Sequence, residues 1–320
     1  MQASDFPGFE WRDGRSWDGQ ATLLVHVNAP FMPLVMAKLG RHARNRFVIG
    51  YWAWELPHVP AEWRNGIPFV HEIWVPSRFV ADAIQPLAGG RAINIMPHPI
   101  AASGATPIAR RRASSEQRFN ALTIFNAASS FVRKNPVAAV KAFRAAFGGD
   151  ENARLTVKAS NLAAFPQGAK ELEVAIAGCS NINVIDAVID RKALQLLYEE
   201  ADVFISLHRA EGFGLNLAEA MLHGLPVIAT NWSGNVDFLN ERVGAPVPFE
   251  LKPAFDPQGT YQHPDMMWAE ADVAAAARAM KRLRDEPDLR RRLGEEAAQF
   301  AQGAFSAQTY TGRVRANLGI

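Results

Sequence analysis

Two glutamates stand eight positions apart where a strand-like pattern gives way to a helix-like one. Glu211 follows the apolar run 203–207, and Glu219 lies in a run with helical spacing that starts at Leu215. Open parallel sheets bind ligands outside the carboxyl ends of their strands, and the unpaired N–H groups of a helix N-terminus suit a phosphate. A carboxylate pair at such an edge therefore indicates a ligand with both phosphate and hydroxyl groups, such as a nucleotide sugar.

The segment that contains both glutamates reads E-G-F-G-L-N-L-A-E-A-M, and G-L-P-V-I-A-T follows at 224–230. It resembles the E-x7-E signature of the retaining glycosyltransferases of family four, and the resemblance covers the chain from about residue 21 to its end. The resemblance implies the GT-B fold, in which two Rossmann-like domains face a cleft. It also implies that Glu211 contacts the transferred sugar and that Glu219 contacts the ribose hydroxyls. By the same resemblance, the sugar and the diphosphate are expected to be lined by the backbone amides of Gly212, Phe213, Gly214, Leu215 and Asn216.

A pair of cations closes the polar segment N-A-A-S-S-F-V-R-K-N at 126–135, which is expected to be a loop after a strand. R-K-N-P before an apolar helix resembles the phosphate-binding corner of family four, which implies that Lys134 neutralises the leaving nucleotide diphosphate. Many members carry an additional Arg before this Lys, at the position where Ala128 stands here. The phosphate contact that this Arg would make is therefore expected to be made by Arg133, whose guanidinium can bind two oxygens.

Two further cations are expected on the donor side. Lys158 stands at the end of another predicted strand, and Arg209 comes just before Glu211, where it is expected to hold a phosphate. His208 is expected to reach the same place. Nearby, Asn235 and Asp237 either contact substrate or cap a helix, and the residues leave this choice open.

The acceptor or sugar side is expected around Y-W-A-W-E-L-P, at 51–57. Many family-four enzymes place a His near the reacting sugar at the end of a comparable strand, whereas this chain has Trp52, Trp54 and Glu55 there. Aromatic faces stack on sugar rings, although tryptophans at small spacing also pack cores, and both interpretations stay open. His26, at the end of the first predicted strand, is also expected to point at the cleft, although a lone strand-end His is more often structural.

Strand-like and helix-like segments alternate, which predicts an α/β fold, and 320 residues suit two domains. We expect an N-terminal acceptor-side domain over 1–104, a C-terminal nucleotide-sugar-binding domain over 105–305, and a terminal helix over 306–320 that crosses back to the first. Strands are predicted near 21–28, 46–52, 72–76 and 92–96, and then near 119–125, 155–158, 182–185, 203–207 and 227–230. Only four precede the boundary, so the first domain is expected to be abbreviated. The irregular aromatic arm at 1–20 or another chain is expected to cover it, and the basic run 110–112 is expected to be a solvated linker.

Bulk composition excludes several classes of protein. A net charge of +2 argues against a dedicated nucleic-acid-binding protein, and the single Cys179 excludes an internal disulfide and fits a reducing cytoplasm. The sequence has no apolar run long enough to span a bilayer, and the polar segment 1–19 is not expected to act as a signal peptide. With no D-x-D motif or carboxylate cluster in the sequence, we expect no metal and no cofactor beyond the nucleotide-sugar co-substrate.

Together with the resemblance to family four, these observations predict a metal-independent, cytoplasmic hexosyltransferase. The resemblance implies that it retains configuration and takes part in polysaccharide or glycan synthesis. Its expected partners are a nucleotide sugar and a glycan or lipid-linked acceptor. Peripheral membrane contact, an oligomer, or a partner that covers the short first domain are left open. Two alternatives also stay open: a nucleotide-sugar epimerase, and a catalytically silent sugar-nucleotide-binding subunit of a partner transferase.

Overall fold

A computed structural model describes residues 21–43, 45–100 and 118–320 of the chain. Within these ranges the chain folds into two compact units. The first comprises residues up to Trp52, Ala61–Trp74 and Leu87–Asn94, and the second comprises Ala53–Pro60, Val75–Pro86 and the residues from Ile95 onward. The arm expected at 1–20, the basic run at 110–112 and the domain boundary expected at 104 lie outside the described residues.

The first unit is built on a four-stranded sheet, and the predicted number of strands is confirmed within the described residues. The order is β1-β2-β3-β4, with parallel pairing of β1 to β2 and of β2 to β3. Its strands are β1 (Thr22–Val25), β2 (Phe47–Tyr51), β3 (Glu72–Val75) and β4 (Ala92–Ile95). Helix α1 (Met32–Leu39) follows β1, and α2 (Arg78–Ile84), capped by the Ser77 hydroxyl, belongs to the second unit.

The second unit is built on a six-stranded parallel sheet in the order β10-β9-β8-β5-β6-β7. The five predicted strands are all present, and β10 is a further one. The sheet strands are β5 (Phe119–Asn126), β6 (Ala153–Ser160), β7 (Ile182–Asp186), β8 (Val203–Ser206), β9 (Val227–Thr230) and β10 (Gly244–Val247). An antiparallel hairpin of β11 (Phe249–Pro253) and β12 (Met267–Ala271), which was not predicted, follows the sheet.

Helices cover both faces of this sheet, which is why its strands are apolar runs without alternation. The helices are α3 (Phe131–Lys134), α4 (Pro136–Phe147), α5 (Pro166–Ile176), α6 (Arg191–Glu200), α7 (Leu215–Leu222), α8 (Val273–Asp285), α9 (Pro287–Ala304) and α10 (Ala307–Leu318). One apolar core joins the strands to α4 and α8, and a second joins them to α7 and α9. Among the helices in the described part of the chain, we find none with an apolar stretch that could span a bilayer.

The terminal helix α10 lies in the second unit. Asn317 on this helix donates through Nδ2 to the Sδ atom of Met96, 3.5 Å away, and the N–H of Ile100 donates to the carbonyl of Phe305 at 2.8 Å. These contacts join the end of the chain to the segment that leaves β4. That the helix braces the first domain stays a prediction.

Candidate active site

Glu211 lies in the loop that connects β8 to α7, at the carboxyl end of the sheet. Its N–H donates to the Ser233 hydroxyl at 2.8 Å, and its carbonyl accepts from the N–H of Gly234 at 2.8 Å. At Gly234 the two loops pass so closely that a Cβ atom would overlap the carbonyl of Gly212. Gly214, with φ +101, then turns the chain into α7. The loops after β8 and β9 are thus one backbone assembly that fixes Glu211.

The carboxylate of Glu211 is held by two cations. The Lys134 ammonium donates a short hydrogen bond to Oε1, and Arg133 Nη1 lies 3.4 Å from Oε2. Burial raises the pKa of Glu211, but Lys134, Arg133 and His208 outweigh it and lower the pKa to about 2. The carboxylate is therefore ionised at neutral pH. The Glu55 carboxylate also acts on both cations and raises the pKa of each. Of the two cations, the partly exposed Lys134 is therefore the one that suits an anionic ligand.

The two cations have different exposure, and this changes the expected role of Arg133. Arg133 is 1% exposed, whereas Lys134 retains 17%. Arg133 Nη1 donates to the Ala210 carbonyl at 2.7 Å, and Nη2 donates to the carbonyl and the hydroxyl of Ser129, both at 3.0 Å. The structure thus gives Arg133 a part different from the expected contact with phosphate, because its guanidinium is engaged inside the protein. Burial and Arg133 lower the pKa of Lys134, against the opposing effect of Glu211.

The segment that carries these cations, expected to be a loop, forms the short helix α3. Ser130, at φ +60, starts it by accepting from the N–H of Arg133 at 3.2 Å. Asn135 ends it in the left-handed conformation and donates through Nδ2 to the Leu207 carbonyl at 3.0 Å. Pro136 then begins α4, as expected. The helix turn and its caps bring the cations to the carboxyl end of β8.

The second glutamate, Glu219, lies one turn inside α7. The hydroxyl of Tyr198, on α6, donates to Glu219 Oε2 at 3.0 Å. Burial raises the pKa of Glu219, while the Tyr198 hydrogen bond and the charge of Arg191 lower it, and the net shift is upward. Glu219 is therefore a semi-buried carboxylate with a defined partner, and it is not a freely solvated one.

His208 is buried and hydrogen-bonds to the segment that follows β9, although it was expected to reach the ligand. Its Nδ1 lies 3.0 Å from the Ser206 hydroxyl and its Nε2 lies 2.9 Å from Asn235 Oδ1. Because Asn235 Nδ2 donates to the Thr230 carbonyl, its Oδ1 must accept, so His208 carries its proton on Nε2. Burial lowers the pKa of His208, which agrees with a neutral ring. Asp237 accepts from the N–H of Arg78 and so caps α2.

Two other expected donor-side cations are occupied by protein partners. Arg209 pairs with Glu270 on β12 through Nε at 2.9 Å and Nη2 at 2.8 Å. Lys158 lies inside β6, not at its end, because the strand runs two residues further than predicted; its ammonium donates to the Ala159 carbonyl at 3.0 Å. Neither contact places these side chains on the Glu211 carboxylate.

The residues around the start of α7 divide into backbone and packing roles. Asn216 donates through Nδ2 to the Ile124 carbonyl at 2.8 Å, so its side chain ties α7 to β5. Phe213 is buried against Phe238 and Phe305. Leu215 is exposed. The expected role in binding the ligand was given to the backbone amides of this segment. Among them, the N–H groups of Leu215 and Asn216 open α7 ahead of its first hydrogen bond, which the N–H of Leu217 donates to the Gly214 carbonyl at 3.0 Å.

The tryptophans expected on the acceptor side are buried. Trp52, in the first unit, packs edge-on against Trp63, and His26 of that unit stacks on Tyr51 at 4.6 Å. Trp54, in the second unit, donates through its indole N–H to the His58 carbonyl at 2.7 Å. Neither indole ring offers an open face to a sugar, so the packing interpretation holds for both. Glu55 is half-buried, and it interacts with the hydroxyl of Tyr261, whose pKa it raises.

Four residues of this site were not singled out in the sequence: Tyr198, Ser130, Asp256 and Tyr261. Tyr198 sits in a helical pattern where a Tyr at an apolar position indicates only packing. The string D-P-Q-G-T-Y at 256–261 indicates a turn, and no local signal shows that the turn lies against α3. Among the described residues, no group of three or more His, Cys, Asp or Glu side chains is arranged to hold a metal ion.

Comparison with known sequences decides the family. A family described as family 4 glycosyltransferases in conflict systems, GT4-conflict, matches residues 81–307. The chain belongs to this family. A comparison with curated proteins gave no match for this family 4 glycosyltransferase.

Solved structures show that this family 4 glycosyltransferase has the GT-B fold. TarM from S. aureus, solved with Fondaparinux, alpha-GlcNAc-glycerol and UDP, is similar at TM-score 0.67 and 13% identity over 92% of this chain and 55% of TarM. Sucrose-phosphate synthase from Thermosynechococcus elongatus is similar at TM-score 0.67 and 19% identity, over 92% of this chain and 73% of the synthase. HepE from Anabaena, solved with UDP and glucose, is similar at TM-score 0.67 and 16% identity, over 92% of this chain and 77% of HepE. The chain spans just over half the length of TarM.

Proposed function

We propose that the chain transfers a sugar from a nucleotide-diphosphate donor to an acceptor hydroxyl, with retained configuration. The observation that carries this proposal is the ionised Glu211, fixed by Lys134 and Arg133 beside the N-terminus of α7. The cluster supplies an oriented carboxylate and, at Lys134, a partly exposed cation at one place. Transfer from a sugar nucleotide requires both a group that orients the sugar hydroxyls and a positive charge that binds the departing diphosphate.

Stabilisation of the leaving diphosphate is the main catalytic effect in this proposal. Lys134, the more exposed of the two cations, and the first N–H groups of α7 bind its oxygens. Preorganised charges of this kind act most strongly where negative charge develops in the transition state. The helix and the cations thereby take the electrostatic role that a divalent metal has in other transferases. Arg133 contributes by holding Glu211 in place.

The carboxylates of Glu211 and Glu219 bind different parts of the donor. Glu211 accepts hydrogen bonds from the hydroxyls of the transferred sugar and orients its reacting carbon. Glu219, held by Tyr198, binds the ribose hydroxyls. We assign no side chain as a nucleophile. An acceptor hydroxyl that enters on the face the diphosphate leaves accounts for retention without one.

The wider setting follows from the same proposal. The structures of TarM and HepE contain UDP, which supports a nucleotide-diphosphate donor for this chain and makes uridine the first base to test. We propose a cytoplasmic reaction on a glycan or lipid-linked acceptor, in polysaccharide or glycan synthesis. No cofactor beyond the nucleotide sugar takes part.

A binding screen is the first test of this function. Nucleotide diphosphates and their sugars are added singly to the purified chain, and its thermal unfolding is followed. A ligand at 100 times its Kd stabilises the native state by about 2.7 kcal/mol, which shifts the unfolding transition visibly. We expect at least one diphosphate to shift it and the matching monophosphate to do so less. No shift with any of them would contradict the proposal.

Turnover separates the proposed function from its alternatives. The donor that binds is incubated with the chain, with and without glycan acceptors, and the products are separated. An isomer formed from donor alone would indicate an epimerase, and binding without any product would indicate a silent subunit. Glu211→Gln is expected to lower transfer at least tenfold with little loss of nucleotide affinity, since one charge-assisted hydrogen bond contributes about 1.5–3 kcal/mol. The exposed Glu171→Gln on α5 is the matched control.

A further inference from the structure

The hairpin of β11 and β12 carries a loop, 254–266, that is fastened to the segment before the two cations. The side chain of Asp256, 1% exposed, accepts from the Ser130 hydroxyl at 2.9 Å and from the N–H of Tyr261 at 3.0 Å. Gln258 accepts through Oε1 from the N–H of Phe131 at 2.6 Å, and donates through Nε2 to the carbonyl of Ala127 at 2.9 Å. The loop is thus an integral part of the structure around α3.

Tyr261 is the residue that this loop delivers to the site. Its ring lies over the guanidinium of Arg133, with 4.9 Å from the carbon to the ring centroid. Its hydroxyl interacts with the Glu55 carboxylate, and its ring lies 5.4 Å from the Trp54 ring, between centroids. Burial raises the pKa of Tyr261, Arg133 lowers it and Glu55 raises it again, with a net upward shift. The hydroxyl therefore keeps its proton and remains a donor.

The contacts of Arg133 explain why a ring over its face matters. Ala210, Ser129 and Glu211 all meet the terminal nitrogens, within hydrogen-bond or ion-pair reach. The Nε atom is buried and has no hydrogen-bond partner among the described residues. Nothing in that set opposes a tilt of the plane about its terminal nitrogens, whereas an aromatic ring stacked on a planar guanidinium does. Such a tilt would turn the N–H groups of Nη1 away from Glu211 Oε2 and so weaken that contact.

We propose that Tyr261 is a positioning residue for transfer, acting on Glu211 through Arg133 and on Glu55 directly. Tyr261 is 6% exposed, so its ring is not a sugar-stacking surface. The hydroxyl and the ring of Tyr261 have separate roles. The hydroxyl orients the Glu55 carboxylate, and the ring holds the guanidinium plane of Arg133 in its orientation. The loop 254–266 is on this account a part of the catalytic machinery. The proposal rests on the transferase function proposed above.

Two substitutions separate the hydroxyl from the ring. Tyr261→Phe keeps the ring and is expected to lower kcat about tenfold, and Tyr261→Leu removes both and is expected to lower kcat about a hundredfold, with the donor KM within about twofold of wild type in each case. Tyr310→Phe, a buried tyrosine on α10, is the matched control and should leave both constants unchanged. A kcat of Tyr261→Leu within twofold of wild type would overturn the proposal. So would a parallel loss of kcat and nucleotide affinity in both variants.

A second readout does not depend on turnover. The solvent-exchange rate of the Arg133 Nε–Hε proton is measured by NMR, with the signal assigned by its loss in Arg133→Lys. We expect exchange about tenfold faster in Tyr261→Leu and unchanged in Tyr261→Phe, because only the former uncovers the guanidinium. An unchanged rate in Tyr261→Leu would refute the positioning of Arg133 even in a chain with no transferase activity. Absence of activity in the wild type would instead contradict the proposed function.

Discussion

The hydroxyl of Tyr198 donates a hydrogen bond of 3.0 Å to Oε2 of Glu219, and so joins two different helices at one carboxylate. Tyr198 is buried, and its ring stacks on His223, which follows α7 directly and lies four positions after Glu219, with 4.8 Å between centroids. Tyr198 therefore contacts Glu219 within α7 and His223 at the end of that helix. Glu219 gains a fixed orientation that a carboxylate on an isolated helix would not have.

This relationship predicts an ordered loss of nucleotide affinity. Glu219→Ala is expected to weaken nucleotide-diphosphate binding at least tenfold, because it removes a charge-assisted hydrogen bond of about 1.5–3 kcal/mol. Tyr198→Phe removes only the orienting bond and is expected to weaken binding about threefold to fivefold. Isothermal titration calorimetry measures both, with Glu171→Ala on α5 as the control. Equal affinity in wild type and Glu219→Ala would remove the ribose assignment.

Loss of Arg133 and loss of Lys134 are expected to have different effects on stability and on turnover. Arg133→Ala leaves Glu211 short of a partner in a buried place, so the free energy of unfolding should fall by about 3–5 kcal/mol. Lys134→Ala removes a more exposed charge, so turnover should fall at least tenfold with a smaller loss of stability. Urea unfolding and kcat measured side by side separate the two, with the exposed Lys141→Ala on α4 as the control. Equal stability of the two variants would contradict the distinction drawn from burial.

Acid should weaken the fold through Glu211. The pKa of its carboxyl is about 2 in the folded chain against 4.5 as the ordinary value, so its ion pairs stabilise the native state above pH 4.5. That contribution, about 3 kcal/mol for a shift of this size, is lost as the pH falls from 4.5 towards 2. Urea unfolding across this range should show a flatter pH dependence for Glu211→Gln than for wild type. Identical slopes would show that Glu211 ionises as it does in an unfolded chain.

Close packing of backbone at Gly234 gives a stability prediction with an internal control. A Cβ atom at Gly234 would overlap the Gly212 carbonyl, so Gly234→Ala should lower the free energy of unfolding by about 1–3 kcal/mol or more. At Gly303, inside α9, a Cβ would meet nothing within 4 Å. Gly303→Ala should therefore raise stability by about 0.5–1 kcal/mol. Thermal or urea unfolding of both variants checks the pair, and a neutral Gly234→Ala would contradict the contact.

Activity is expected to survive chelation. The proposed mechanism gives the work on the diphosphate to Lys134 and to the N-terminus of α7. Transfer is measured after treatment with EDTA and again with magnesium or manganese added back. An unchanged rate is the expected result, and loss in EDTA with recovery in either metal would refute metal independence.

The sheets could be predicted because their strands are short apolar runs bounded by turn residues, and the E-x7-E segment could be found because its glycines and glutamates lie within one loop and one helix. Lys158 was placed at a strand end because the small residues Ala159 and Ser160 after it gave no sign of two further strand residues. In general, a parallel strand buried on both faces has no alternation that would mark its end. Strand ends are where ligands bind, so this error moved a candidate site residue.

What the sequence could not show is which polar groups satisfy one another. Arg133 and Lys134 are neighbours of like charge in the sequence. Only the hydrogen bonds to Ser129 and Ala210 show that the guanidinium of Arg133 is buried and bonded within the protein. Tyr261 lies far along the chain from the cation it covers, and no periodic pattern encodes such a contact. Buried polar groups must find partners somewhere, but local sequence does not say where.

The fastening of the hairpin loop to the region of the cations has a consequence for how the protein is made. Asp256 lies 126 positions after Ser130, so on the ribosome the two cations emerge long before the residue that anchors their segment. Contacts of such long range are closed late, after the entropy of the intervening loop has been overcome. All six strands of the second sheet, which end at Val247, therefore emerge before Asp256 does, and the segment of the cations is anchored only after its sheet has been synthesised.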